Sequence, residues 1–184
     1  MPIQHISDNV LKMMRRRSSG DSIKEVINKL RDRIPDVHIR TTLLVGFPGE
    51  TQEDIDELIN FIDTYDIDRL GTFAFSEEEG TPSFTMDGKV PEEERIARRD
   101  LVMQHQQSVS EKLNERKIGN VYEVIVDECI ELDAEGIVDD FENADEEVLS
   151  RIVNLYSGRT RYDAPEIDCA VTFTTNKTEL YPIA

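Results

Sequence analysis

Apolar residues along the first 118 positions follow two alternating rhythms. One has helical spacing: Val10, Leu11 and Met14; then Ile23, Val26, Ile27, Leu30 and Ile34; then Ile55, Leu58, Ile59 and Ile62. The other is a set of short β-branched or aromatic runs at 2–6, 39–45 and 69–75. The punctuation agrees with both. Ser7 or Asp8 can cap a helix running to Arg17, which Ser18-Ser19-Gly20 breaks, and Asp21 or Ser22 can cap the next, which Pro35 ends. Thr51 opens a helix to about Tyr65, with Asp54 in a capping-box position. Pro91 opens a long helix whose Glu92, Glu93 and Glu94 suit the positive end of its dipole, and Gly119 ends it. A loop spans 76–90. This strand–helix alternation predicts an α/β fold with a parallel sheet and right-handed crossovers.

The pattern changes at Gly119. Residues 121–126 alternate as a strand, 171–175 are β-rich, and 131–156 read as an acidic insertion with a short helix near 144–152. Two domains are therefore expected, 1–118 and 119–184. Charge divides at the same place. The first segment carries 17 Lys/Arg against 23 Asp/Glu, net −6, and the second 4 against 16, net −12. From 119 to 147 there are twelve acidic residues and no basic one. Such a surface repels phosphates, which makes nucleic acid an unlikely partner, and it attracts basic proteins. Solubility alone would account for the charge equally well. No apolar run approaches membrane-spanning length. The two cysteines, Cys129 and Cys169, have no framework spacing and suit a reducing cytoplasm as free thiols.

Five blocks stand out in order: Met-Pro-Ile-Gln-His-Ile-Ser-Asp at 1–8, Val-Leu-Lys-Met-Met-Arg-Arg-Arg at 10–17, Thr-Thr-Leu-Leu-Val-Gly-Phe-Pro-Gly-Glu-Thr at 41–51, Glu-Glu-Gly-Thr-Pro at 78–82 and Gly-Arg-Thr-Arg-Tyr-Asp-Ala-Pro-Glu-Ile-Asp at 158–168. Together they resemble the radical-SAM methylthiotransferases. The last block resembles the RimO-type branch, which modifies an aspartate of a small-subunit ribosomal protein. The resemblance implies S-adenosylmethionine (SAM) and two 4Fe-4S clusters, one on a Cys-x3-Cys-x2-Cys motif in the barrel and one on three cysteines of an N-terminal domain. Two cysteines cannot complete either cluster. The expectation is thus the C-terminal half of a (β/α)6 partial barrel, followed by a small β module that resembles TRAM and stops short of its last strands. Such a chain would hold no catalytic residue and no metal ligand and would be inactive alone, its missing partner being the N-terminal part of the same enzyme. Two other readings are a fragment of the related branch that methylthiolates transfer-RNA adenosine, which calls for a basic terminal module, and a non-catalytic acidic protein-binding module.

Candidate site residues follow from the motifs and the resemblance. Gly46 and Gly49, with Pro48 between them, make the βα loop where α/β proteins place ligands, and Gly46 is expected to let adenine approach the backbone. Gln4, which both donates and accepts, suits the SAM ribose or else caps the following helix. His5 is read as an orienting or packing residue without an evident carboxylate partner. Arg40, with Thr41 and Thr42, suits the methionyl carboxylate or a surface ion pair. Phe73 or Phe75 would flank the base, the other being core. Arg15, Arg16 and Arg17 read as a solvated helix end. Arg159, Tyr162, Asp163, Glu166 and Asp168 surround Pro165 as a substrate-docking segment, or as a local network in which Arg159 or Arg161 pairs with Asp163 or Glu166.

Overall fold

The computed structural model describes residues 2–130, 155–165, 167–168 and 170–174. The chain forms two compact units, Met1–Ile118 and Gly119–Ala184. The first runs α1 (Asp8–Met13), α2 (Gly20–Arg33), β1 (Arg40–Val45), α3 (Gln52–Tyr65), β2 (Arg69–Ala74), a 3-10 turn (Pro82–Thr85) and α4 (Glu92–Glu115).

β1 and β2 pair in parallel, from Arg40 beside Arg69 to Val45 beside Ala74. The strand expected at 2–6 contracts to a single parallel bridge between Gln4 and Leu43 on the other edge of β1. Gln4 donates its N–H to the Thr42 carbonyl at 2.9 Å, and its carbonyl accepts from Leu44 at 2.7 Å. Gln4 has φ 71, outside the extended region, so the ladder cannot continue through it. Thr41, Leu43 and Val45 are buried on one face of the sheet. Leu43 and Val45 pack with Ile23 and Ile27 of α2, Ile55, Leu58, Phe61 and Ile62 of α3, and Val102 and Val109 of α4. The other face, carrying Arg40, Thr42 and Leu44, is only half-buried. Helices therefore cover one side of the sheet.

The caps refine the sequence boundaries. Helix α1 stops at Met13, not at Arg17. Arg15 lies in the left-handed region at φ 55, and its N–H donates to the Lys12 carbonyl while that of Arg16 donates to Leu11. This is a Schellman closure, here without the usual glycine. The arginines thus follow the helix instead of belonging to its last turn. Helix α2 starts at Gly20, capped by Ser19 in a reciprocal box with Ser22, so the cap lies two residues before Asp21. A Cβ on Gly20 would stand 2.4 Å from the Ile6 carbonyl oxygen, so only glycine fits this close turn. Thr51 and Asp54 form the expected reciprocal box on α3. Phe61 is fully buried there, and Ile59 only partly. Helix α4 ends at Glu115, before Gly119.

In the second unit β3 (Val124–Ile130), β4 (Leu155–Thr160) and β5 (Val171–Thr174) form an antiparallel sheet in that order. The first strand lies later than 121–126. β4 is the centre of the sheet, yet its start falls within the expected insertion. Gly158, mid-strand, disguised it. A Cβ there would meet the Ile125 carbonyl oxygen at 2.3 Å, so the neighbouring strand's approach requires glycine. The helix expected at 144–152 lies outside the described residues.

Candidate functional site

β1 delivers the chain into the loop 46–50 at the C-terminal ends of the parallel strands. Gly46 and Gly49 have φ 78 and 87, which side chains other than hydrogen resist. The space a Cβ on Gly46 would need is filled by the stem of Arg95, whose Cγ lies 2.2 Å from that point. The glycine was expected to admit adenine on this side; instead it admits an arginine of α4. Met13 fills the corresponding space at Gly49, with Sδ at 2.6 Å.

Glu50 anchors the loop from inside. Its side chain is fully buried, accepting from the Gly46 N–H at 2.8 Å and from Arg98 Nη1 at 2.8 Å. Arg98 also donates to the Glu50 carbonyl at 3.1 Å and pairs with Glu94. Burial raises the Glu50 carboxyl above its usual range, opposed by Arg98 and the Gly46 and Phe47 amides. His5 is likewise fully buried, with Nε2 3.6 Å from Glu50 Oε2. His5 Nδ1 accepts from the Ser7 N–H at 3.0 Å, so the neutral ring carries its proton on Nε2, toward Glu50. Burial lowers the imidazole to about 4, against the opposing charge of Asp54. The carboxylate nearest the ring, which the sequence did not reveal, is thus Glu50, and at 3.6 Å the two atoms face each other without a hydrogen bond.

A second polar knot adjoins it. Asp54 accepts from Ser7 Oγ at 2.5 Å, Asn9 Nδ2 at 3.0 Å and the Thr51 N–H at 2.8 Å. Burial pushes its carboxyl up, but these donors outweigh burial and hold it below the ordinary value. The two knots fasten the loop to the segment 4–9 and to α4.

The edge so formed gathers several of the sequence candidates. Gln4 is bonded to Thr42 and Leu44, and the Phe75 N–H donates to the Val45 carbonyl at 2.8 Å, next to Gly46. Phe75 packs edge-on against Phe47, centroids 5.1 Å apart. Phe73 sits beside Leu44 in the register and is 62% exposed. Neither Phe73 nor Phe75 is core, contrary to the expectation that one would be. Arg40 does not join them. It begins β1, roughly 20 Å of extended strand from Gly46, and borders a different, mainly apolar cavity of ≈ 130 Å³ beside Ile3, Ile27 and Ile67. The arginine at the Gly46 end is Arg95, which donates to the Phe75 carbonyl at 2.7 Å and pairs with Glu77 at 3.5 Å. An open cavity of ≈ 450 Å³ lies at this edge, lined by Gln4, Leu44 and Phe47, by Met13 to Arg16 and by Pro82, Ser83 and Met86.

In the second unit, Arg159 pairs with Asp127 across the β3–β4 ladder, a partner the sequence did not suggest. Asp163 accepts from the Thr160 N–H at 3.0 Å and hydroxyl at 2.6 Å, and Asp168 from the Ala164 N–H at 2.6 Å. These two carboxylates build the turn. Tyr162 accepts from Arg161 at 2.5 Å, and Glu166 lies outside the described residues. Cys129 is an exposed free thiol on β3. With Cys169 as the only other cysteine, the thiolates do not fit an iron–sulfur cluster. Among the described residues no helix is long and apolar enough to cross a membrane.

A family model for the Radical SAM superfamily matches residues 1–62. The chain is 44% identical over 171 residues to the ribosomal protein uS12 methylthiotransferase RimO of Clostridioides difficile, covering 93% of this chain and 34% of that protein. It is 40% identical over 179 residues to the protein of the same name from Alkaliphilus oremlandii, covering 97% and 36%. The counterpart from Bacteroides thetaiotaomicron is also 40% identical over 179 residues, covering 97% and 36%. The chain therefore spans about a third of the length of the curated relatives it matches.

Proposed function

We propose that this chain, which belongs to the radical-SAM methylthiotransferase family, forms part of an enzyme that methylthiolates an aspartate of a small-subunit ribosomal protein. Its first unit would be the C-terminal half of the barrel and supply half of the SAM pocket. The observation that carries this is that Gln4, level with Leu43, and Gly46 and Phe75 lie along the C-terminal half of the parallel strands, toward the edge where barrel sites assemble, whereas Thr42 sits mid-strand and meets Gln4 through its carbonyl. Gln4 would hold the ribose hydroxyls, and Phe75 or the exposed Phe73 would lie against the base. Bound there, SAM would supply the radical-forming chemistry of the family. The chain's own part is to bind and orient it, through a loop fixed by Glu50 and Arg98. Cluster ligands would come from the remainder of a full-length enzyme.

The second unit is read as a TRAM-like module that docks a basic ribosomal protein, with Arg159, Tyr162 and Glu166 as contact residues and Asp163 and Asp168 shaping the turn. Its charge of −12 supports a protein over transfer RNA. A cytoplasmic location follows from such a substrate.

The test is a titration of the ¹⁵N-labelled chain with S-adenosylhomocysteine, a stable analogue. Amide shifts concentrated at Gln4, Gly46 and Phe75 are expected. Saturable binding with shifts elsewhere, or none at millimolar ligand, would overturn the pocket. The docking reading is checked by comparing binding of a basic ribosomal protein and of transfer RNA across a salt series. Tighter binding of the RNA would move the assignment to the other branch.

A further inference from the structure

The arginine run at 15–17 has no role in the site above, yet its first two members line the ≈ 450 Å³ cavity together with Gln4, Leu44 and Phe47. Three observations converge on it. First, this chain carries 39 acidic residues against 21 basic ones, but the cavity wall has two arginines and no acid. Second, two of the four non-glycine residues with positive φ among the described residues are on this wall, Gln4 at φ 71 and Arg15 at φ 55, the others being Asp36 and Asp66. Left-handed backbone without glycine costs free energy and gathers at ligand sites. The Schellman closure that places Arg15 there would be satisfied more cheaply by glycine. Third, no side-chain hydrogen bond or ion pair engages Arg15 or Arg16 among the described residues, a condition shared outside the cavity by Arg17 and Arg33, whereas Arg31, Arg95, Arg98, Arg99, Arg116 and Arg159 are all engaged.

We propose that this cavity is a carboxylate-binding site in which Arg15 and Arg16 receive the carboxylate, Gln4 supplies a further polar contact, and Leu44, Phe47 and Met86 receive the apolar remainder of the ligand. Guanidinium groups match a carboxylate with paired N–H donors. Within the function proposed above, on which this inference rests, two molecules bring such a group: the aspartyl side chain of a peptide substrate, and the methionyl end of SAM.

The experiment uses the full chain, labelled so that the arginine Nε–Hε resonances are read, and two matched pairs of probes. The first pair is the blocked peptide acetyl-Gly-Lys-Asp-Lys-Gly-amide and its counterpart with Asn at the centre. The second is S-adenosylhomocysteine and 5′-methylthioadenosine, which lacks the carboxylate. The expected result is that at least one carboxylate-bearing probe shifts the Arg15 and Arg16 resonances and binds tenfold or more tightly than its partner. The discriminating pair names the source. The doubly substituted R15Q/R16Q chain should lose that difference with its circular dichroism and melting curve retained, since both side chains are exposed. Equal binding within both pairs, or an undiminished preference in the folded R15Q/R16Q chain, would overturn the site. Failure of the pocket reading shows separately, as missing shifts at Gly46 and Phe75 while the arginine response persists.

Discussion

Arg98→Met should destabilise the first unit strongly at pH 7 and much less at pH 5. Methionine keeps most of the stem but removes the Nη1 bonds to the Glu50 carboxylate and carbonyl and the charge facing a carboxylate with no solvent exposure. Breaking a buried ion pair by removing one partner costs about 3–5 kcal/mol. The carboxylate can escape part of that by taking up a proton, which from its usual value of 4.5 costs about 3.4 kcal/mol at pH 7 but about 0.7 kcal/mol at pH 5. The sign follows from linkage. A carboxyl whose folded value is raised contributes stability that is present below 4.5 and lost as pH rises toward the folded value. Without Arg98 that folded value rises further, so the cost of the substitution should shrink between pH 7 and pH 5, by at most the difference of those two figures, about 2.7 kcal/mol. Because His5 lies 3.6 Å from Glu50 and titrates with it, the comparison is repeated in a His5→Asn background. The chain has no tryptophan, so urea unfolding is followed by circular dichroism. Adding Glu50→Gln, which retains an acceptor for the Gly46 N–H, should make the cost independent of pH. A loss below about 1 kcal/mol at pH 7, or one that is equal at both pH values, would refute the claim that a charged Glu50 is clamped by Arg98.

Other outcomes follow from the same geometry. His5, lowered from 6.5 to about 4 by burial, contributes stability present above pH 6.5 and lost as pH falls toward 4, up to about 3 kcal/mol, and His5→Asn should flatten that limb in a pH series of urea midpoints. Arg15→Gly should raise stability by about 1 kcal/mol by relieving left-handed backbone, measured by thermal melting. Gly20→Ala should cost about 1–3 kcal/mol, because its Cβ meets the Ile6 carbonyl oxygen at 2.4 Å, whereas Gly71→Ala, with nothing within 4 Å, should be neutral or stabilising by about 0.5 kcal/mol in the same assay.

Local chemistry was legible where it is written locally. The Thr51–Asp54 box, most of the buried face of α3 and the parallel order of the 2–6 segment, β1 and β2 all follow from spacing and punctuation within a dozen residues, whereas the apolar face of α2 is buried only at Ile23 and Ile27, with Val26 and Ile34 exposed. The misses involve groups supplied from afar. Gly158 reads as a strand breaker until the Ile125 carbonyl is brought against it. Arg15 reads as helix, since an arginine at a left-handed closure gives no glycine signal. Asp163 reads as a docking residue or the partner of a nearby arginine until the Thr160 amide and hydroxyl point at it.

The loop 46–50 shows why the site was half legible. Its glycines announce an unusual backbone, and the natural inference is that the space serves a ligand. Glu50 reads as an acid preceding a helix, where the dipole alone would favour it. Its actual partner lies 48 residues on, at Arg98. Arg95 and Arg98 stand three apart on α4, a spacing that puts them on one face of a helix. Arg95 fills the space left at Gly46 while Arg98 holds Glu50. One helix face therefore sets both the path and the electrostatics of the loop, and neither arginine needs to touch a ligand to do so. A displacement of α4 would release Gly46 and uncover the buried charge together. The Gly46 side of the loop is therefore packed and neutralised by α4, while its Gly49 side is held by Met13 and by the Gly88 carbonyl.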